Sequence, residues 1–248
     1  MLDKMSKLEF SRNEQMLTLV CAVFLIAFLF VTFFIGIFHP FDIEVNNWIL
    51  SIQSSPLTII NEGFAVVFDT ASLVILSLII AGYFFLKKCR AQGLFLLGIM
   101  GGDALLISIV KNLVESPRPS NGLVFSSGFS FPSGHTAGSI VFCGTLAFFA
   151  WQQYKNVRVR ASIVTGVVAV SSAVGFSRVY LNVHWVSDVI GAGMLGVFWL
   201  AGAVLVFKLL QDGGKFESES FRKISLPLFV LAIVVSVFVI VGTLIFGL

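Results

Sequence analysis

Charged side chains are scarce in this chain. Asp, Glu, Lys and Arg make up only 12% of its 248 residues, about half the share of an ordinary globular domain (~25%). With 57% hydrophobic residues and a mean hydropathy of +0.99, that scarcity excludes a soluble globular fold and points to a membrane protein. Cysteine is nearly missing. Cys21, Cys89 and Cys143 are scattered and no pair has metal spacing, so they read as small apolar packers. Histidine is as sparse: His39, His135 and His184 show no His-Glu-x-x-His spacing, and no metal or cofactor is expected. The net charge of +3 is small, and no nucleic-acid partner is expected. There is no repeat at a solenoid period and no low-complexity tract.

What is abundant is long apolar sequence. A spanning helix needs roughly 20 mostly apolar residues. Segments at about 16–38, 64–86, 91–113, 134–151, 161–178, 185–208 and 226–247 meet or approach that length. The first follows Lys4, Lys7 and Arg12 and is too long for a signal-peptide core, so it reads as a retained span. The last is joined by a polar connection at 209–225 and holds no ionisable side chain. Residues 41–56 differ: Phe41, Val45, Trp48, Ile49 and Ile52 fall at helical spacing among Asp42, Glu44, Asn46 and Asn47. That pattern predicts a short amphipathic helix at the membrane surface. The expected fold is all-α: a single polytopic membrane helix bundle over residues 1–248.

Basic residues set its orientation. With the N-terminus inside, the inside segments hold 13 of the 16: Lys4, Lys7, Arg12, Lys87, Lys88, Arg90, Lys155, Arg158, Arg160, Lys208, Lys215, Arg222 and Lys223. Every inside loop is then the more positive, as membrane insertion favours. The outside segments hold only Lys111, Arg118 and Arg178. Orientation does not need these three, so they call for another use.

Each of the three sits in a suggestive stretch. Lys111 closes the third span, and Arg118 follows between Pro117 and Pro119, whose fixed φ angles stiffen that loop. Phe131-Pro132-Ser133-Gly134-His135 opens the fourth span with helix-start signals. The first N–H groups of a helix lack internal partners and favour anions, and Gly134 leaves them approachable. In the third stretch, Ser177-Arg178 precedes His184, and Asp188 lies four residues after it, on the same face if helical. A carboxylate holding one ring nitrogen frees the other to attack or to move protons. Cations, a helix N-terminus and two histidines on one side suit phosphoryl transfer, which needs positioning and charge neutralisation.

Lys111-x6-Arg118-Pro119, Pro132-Ser133-Gly134-His135 and Ser177-Arg178-x5-His184-x3-Asp188 together resemble the three-part signature of the type-2 phosphatidic acid phosphatase family. Its wider superfamily includes vanadium haloperoxidases and bacterial acid phosphatases. The eleven specified positions match in order, far beyond the chance rate of one short motif. The resemblance covers about residues 60–208 and implies a six-helix core, to which the seventh span is an addition. It implies that His184 is the nucleophile, forming a phosphohistidine, with Asp188 orienting its ring. It implies that His135 is the general acid, and that Lys111, Arg118, Ser133, Gly134 and Arg178 bind the phosphate oxygens. The expected substrate is a membrane lipid with a terminal phosphate or diphosphate: in family terms phosphatidylglycerol phosphate, phosphatidic acid or undecaprenyl diphosphate. The expected site is extracytoplasmic, in a multi-pass protein of the cell membrane.

Three acidic residues stay outside that site. Asp103 lies eight positions before Lys111, about 12 Å down a helix. Glu62 and Asp69 stand seven apart near the start of the second span, on one helical face. Intramembrane carboxylates favour a functional reading, and a transporter or channel built on Asp69 and Asp103 is the competing class. It leaves the placement of the three outer cations unexplained. A haloperoxidase would share the anion site, but those enzymes are soluble. The loop between Pro119 and Pro132 carries Leu123, Val124, Phe125, Phe129 and Phe131, read as an apolar entrance for lipid.

Overall fold

The computed structural model describes residues 11–212. Among them are eight helices and no strand. The final span at 226–247 lies outside the described residues.

The first helix, α1 (Arg12–Phe33), starts with a reciprocal cap: Glu14 N–H donates to Ser11 Oγ, and Ser11 N–H donates to Glu14 Oε2. α2 (Ile35–Ile52) follows after a one-residue break. It starts before the predicted amphipathic segment, with Pro40 inside it, and stops four residues short of that segment's end, the last two of which already belong to the next helix. Its Val45, Ile49 and Ile52 pack on Tyr180, Leu181 and Val183.

The second expected span is two helices, α3 (Ser55–Val67) and α4 (Thr70–Leu86), bent by 50°. Asp69 forces the restart: its side chain accepts from Ala71 N–H at 3.0 Å and caps α4. Glu62 and Asp69 therefore do not share one helical face, as an unbroken span would have required. α5 (Arg90–Val114), α6 (Gly134–Gln153), α7 (Val157–Tyr180) and α8 (Val186–Asp212) complete the bundle.

α1, α5, α7 and α8 are each long and apolar enough to cross a membrane, and the bent pair α3–α4 reaches that length and hydropathy when taken together. The protein is a multi-pass membrane protein. α6 is different, and its place explains why. It packs against α4, α5, α7 and α8, and eleven of its residues are buried, Thr136, Ser139 and Thr145 among them. Its neighbours are protein rather than lipid, so it tolerates polar residues that an outer helix would not. Contact with α8 is close: a Cβ at Gly196 would stand 3.3 Å from the Ala137 carbonyl oxygen. Side chains such as Ile26, Phe30, Ile75, Leu105 and Val168 face outward from the other helices, the side that lipid solvates.

Candidate active site

The site forms where one end of α4, α5, α6, α7 and α8 meets two loops. His184 lies in the turn between α7 and α8, one residue before Trp185. Asp188 is in the first turn of α8. Asp188 Oδ2 accepts from Trp185 N–H at 2.8 Å, satisfying an orphan donor of the helix start. The same oxygen lies 3.2 Å from His184 Nδ1, and Ser130 Oγ donates to Oδ1 at 3.3 Å. Both side chains are almost fully buried.

The tautomer follows from the other ring nitrogen. Arg118 Nη1 stands 3.1 Å from His184 Nε2. A guanidinium only donates, so Nε2 presents its lone pair and the ring proton sits on Nδ1, facing Asp188. Burial holds His184 well below the usual histidine range, and the nearby Arg118, Lys111 and Arg178 charges push the same way. The ring is therefore neutral at neutral pH, with a nucleophilic nitrogen turned to the cations.

Arg118 is fixed by backbone carbonyls. Nε donates to Gly128 at 2.9 Å, Nη1 to Val183 at 2.6 Å, and Nη2 to Ser127 and Phe129 at 3.1 Å each. Lys111, in the last turn of α5, donates to the carbonyls of Phe129 (2.5 Å) and Ser130 (3.1 Å). Arg178, in the last turn of α7, is buried, and its Nε has no hydrogen-bond partner among the described residues. His135 lies in salt-bridge range of Asp69 and His184 of Asp188, and no carboxylate is recorded within that range of Lys111, Arg118 or Arg178 among the described residues. Three cations thus converge with no carboxylate in salt-bridge contact, an arrangement that calls for an anion.

His135 stands at the start of α6, its Nε2 3.9 Å from Asp69 Oδ1. A cavity of about 1040 Å³ joins it to Gly134, His184, Lys111, Arg118 and Arg178. Ser133 is placed differently from the other predicted phosphate ligands. It does not line that cavity. It is buried, and its Oγ accepts from Thr136 Oγ1 at 3.0 Å. The entrance loop also divides: Val124 and Phe125 line the cavity, whereas Phe131 is fully buried against Phe28 and Gly191. Phe131 is core, not entrance.

Two supports escaped the sequence reading. Trp185 Nε1 donates to the Pro117 carbonyl at 2.8 Å, tying the third motif to the first. Asp42, counted above among the polar residues of its helix, is buried. It accepts from Ser187 N–H at 2.9 Å and Ser187 Oγ at 2.6 Å. α8 is thus capped from α2, one residue before Asp188. A signal existed: Asp42 falls at helical spacing with Val45, Ile49 and Ile52, on the buried side of α2. Asp42→Ala strands both Ser187 donors. It is expected to lower stability by about 1–3 kcal/mol and to slow turnover by loosening the His184–Asp188 pair. Thermal unfolding in detergent beside an activity assay checks this, and unchanged values for both would refute it.

Residues 92–212 match the model of the PAP2 superfamily. Phosphatidylglycerophosphatase B of Bacillus subtilis (strain 168) is 40% identical over 134 residues, which is 51% of this chain and 64% of that protein. A protein of Escherichia coli (strain K12), named provisionally as an undecaprenyl-diphosphatase, is 35% identical over 100 residues, 37% of this chain and 46% of its own length. The chain thus spans less than two thirds of either relative. The crystal structure of a transmembrane PAP2 type phosphatidylglycerolphosphate phosphatase from Bacillus subtilis superposes with a TM-score of 0.70 at 27% identity, covering 80% of this chain and 98% of that one. Aquifex aeolicus LpxE shares the fold, with a TM-score of 0.52 at 20% identity over 65% of this chain and 93% of its own.

Proposed function

We propose that the protein, whose residues 92–212 match the PAP2 superfamily, is an integral-membrane lipid phosphatase that hydrolyses a terminal phosphate or diphosphate of a membrane lipid. The observation that carries this reading is His184. Its Nε2 lone pair faces Arg118 at 3.1 Å while Nδ1 is held by Asp188 at 3.2 Å. Nε2 attacks phosphorus, and the bond to the lipid oxygen breaks in line. His135, protonated from the bound phosphate monoanion, gives that proton to the oxygen, and the free lipid leaves. Asp188 stabilises the positive charge that develops on the ring. Lys111, Arg118, Arg178 and the N–H groups at Gly134 neutralise the phosphate oxygens as charge builds. Water, deprotonated by His135, then cleaves the phosphohistidine bond. Ser133 acts by holding the start of α6 in place, so Ser133 has a smaller share than the cations.

The curated relatives are named for phosphatidylglycerophosphate and undecaprenyl diphosphate hydrolysis, and with phosphatidic acid these define the substrate panel. The distribution of basic residues supports a cytoplasmic N-terminus and an extracytoplasmic site. Purified protein is expected to release phosphate from at least one lipid of the panel. Vanadate, which adopts the five-coordinate geometry of the reacting phosphorus, should block release, and a chelator should leave it intact. Activity abolished by chelator and restored by a divalent cation would overturn the metal-independent scheme.

A further inference from the structure

The cavity that holds the phosphate site does not end there. It continues between α4 and α5 along Leu73, Val74, Ser77 and Leu78 on one wall and Leu97, Met100, Asp103 and Ala104 on the other. Two polar side chains stand in this apolar cleft. Ser77 and Asp103 are each only 2% exposed. Ser77 Oγ and Asp103 Oδ1 have no hydrogen-bond partner among the described residues. A buried polar group left unpaired is costly, and native proteins keep few of them.

The two residues stand the same number of positions from the phosphate site. α4 leads away from the phosphate site: Asp69, beside His135, is eight residues before Ser77. α5 leads towards it: Asp103 is eight residues before Lys111. At 1.5 Å per residue each is about 12 Å along its own helix from that residue of the site. Gly138 of α6 keeps this floor open. A Cβ there would meet Leu73 Cδ1 at 2.8 Å and stand 3.9 Å from Asp103 Oδ2.

We propose that Ser77 and Asp103 form a second subsite, one that binds a hydroxyl group carried by the lipid, about 12 Å along these helices from the phosphate site. The proposal rests on the lipid-phosphatase reading above. One hydroxyl satisfies both residues, donating to the Asp103 carboxyl and accepting from Ser77. A carbonyl accepts from Ser77 and offers no donor to Asp103 Oδ1. A hydrocarbon chain leaves both unpaired. An ammonium group would bring a charge into a wall of Leu, Val, Met and Ala, which disfavours it. In a diacylglycerol phosphate extended along the cleft, this distance falls past the ester linkage, at the first carbons of the acyl chain. The subsite thus selects β-hydroxyacyl lipids over plain acyl or prenyl ones.

The test uses full-length protein in phosphatidylcholine nanodiscs with two diacylglycerol phosphates that differ only in a β-hydroxyl on the acyl chains. The wild type should favour the hydroxylated lipid in kcat/KM by about 10- to 100-fold, the range set by leaving a buried partner unmet. Ser77→Ala should shrink that preference and Asp103→Leu should abolish it. Both variants should melt no lower than wild type without lipid, because each removes an unpaired polar atom. Both should lose the rise in Tm that the hydroxylated lipid gives the wild type in vanadate. An equal preference in wild type and variants would overturn the subsite. So would a fall in Tm with the preference intact, which marks a structural pair, or tighter binding of a lipid carrying an amine in place of the hydroxyl. If the wild type releases phosphate from no lipid of the panel, the phosphatase reading fails, and the thermal shift then decides the subsite on its own.

Discussion

Replacing His184 by alanine is expected to reduce phosphate release by on the order of 10⁵- to 10⁶-fold, as loss of a nucleophile does when the remaining residues act as one unit with it. No other side chain offers a lone pair to the three cations from that position. The lesion is chemical more than structural. Asp188 keeps the Trp185 N–H and Ser130 hydroxyl, so the site stays assembled around a small void. Rapid quench with labelled substrate should trap phosphohistidine in the wild type and none in the variant. Near-normal release by His184→Ala would sink the mechanism. In the wild type the acid side of the pH profile carries a second mark. Protonation of the ring removes its lone pair, and burial with three cations depresses that protonation. Activity should therefore persist below the ordinary histidine value of about 6.5 and fall only as pH drops through the depressed one.

His135→Ala should give the second-largest loss, and its size should depend on the leaving group. Positioned acid catalysis contributes about 10²–10⁴-fold. That benefit is greatest when the departing oxygen is a poor leaving group, as the alkoxide of a phosphate monoester is. A diphosphate expels a phosphate, which needs little help. His135→Ala should thus lose about 10²–10⁴-fold on phosphatidic acid and much less on a prenyl diphosphate, turning the protein into a diphosphate-selective enzyme. Equal losses on both substrates would deny His135 the role of acid. Ser133→Ala, whose hydroxyl faces Thr136 and not the cavity, should cost far less than either.

The residues that line the phosphate cavity were legible because chemistry left few choices. Three basic side chains on the side that membrane insertion leaves poor in charge, and two histidines at the mouths of helices, stand out in a chain this apolar. The framework was less legible. α6 reads as one more span, yet its polar face reflects a central place among four other helices. The break at Asp69 was hidden because Phe64 to Leu86 is apolar enough to pass as one helix. Asp42 was hidden for the opposite reason. Polar residues on an amphipathic helix are assigned to water by default, and only a partner 145 residues away, Ser187, reverses that. Ser77 gave no signal at all: a lone serine in a span is ordinary until its partners are counted.

The bend between α3 and α4 has a bearing on how a lipid arrives. α4 alone has 17 residues, about 26 Å of helix, against roughly 30 Å of hydrocarbon in a bilayer. Lys87 and Lys88 follow its far end and anchor it at the opposite interface. In the proposed orientation its near end, beside His135, sits slightly below the plane of the headgroups. For the proposed lipid substrate, a phosphate would then reach His184 by lateral diffusion with a small dip, the acyl chains immersed throughout. Lifting a lipid to a site above the membrane would expose methylene groups at about 0.8 kcal/mol each, and that barrier is missing here.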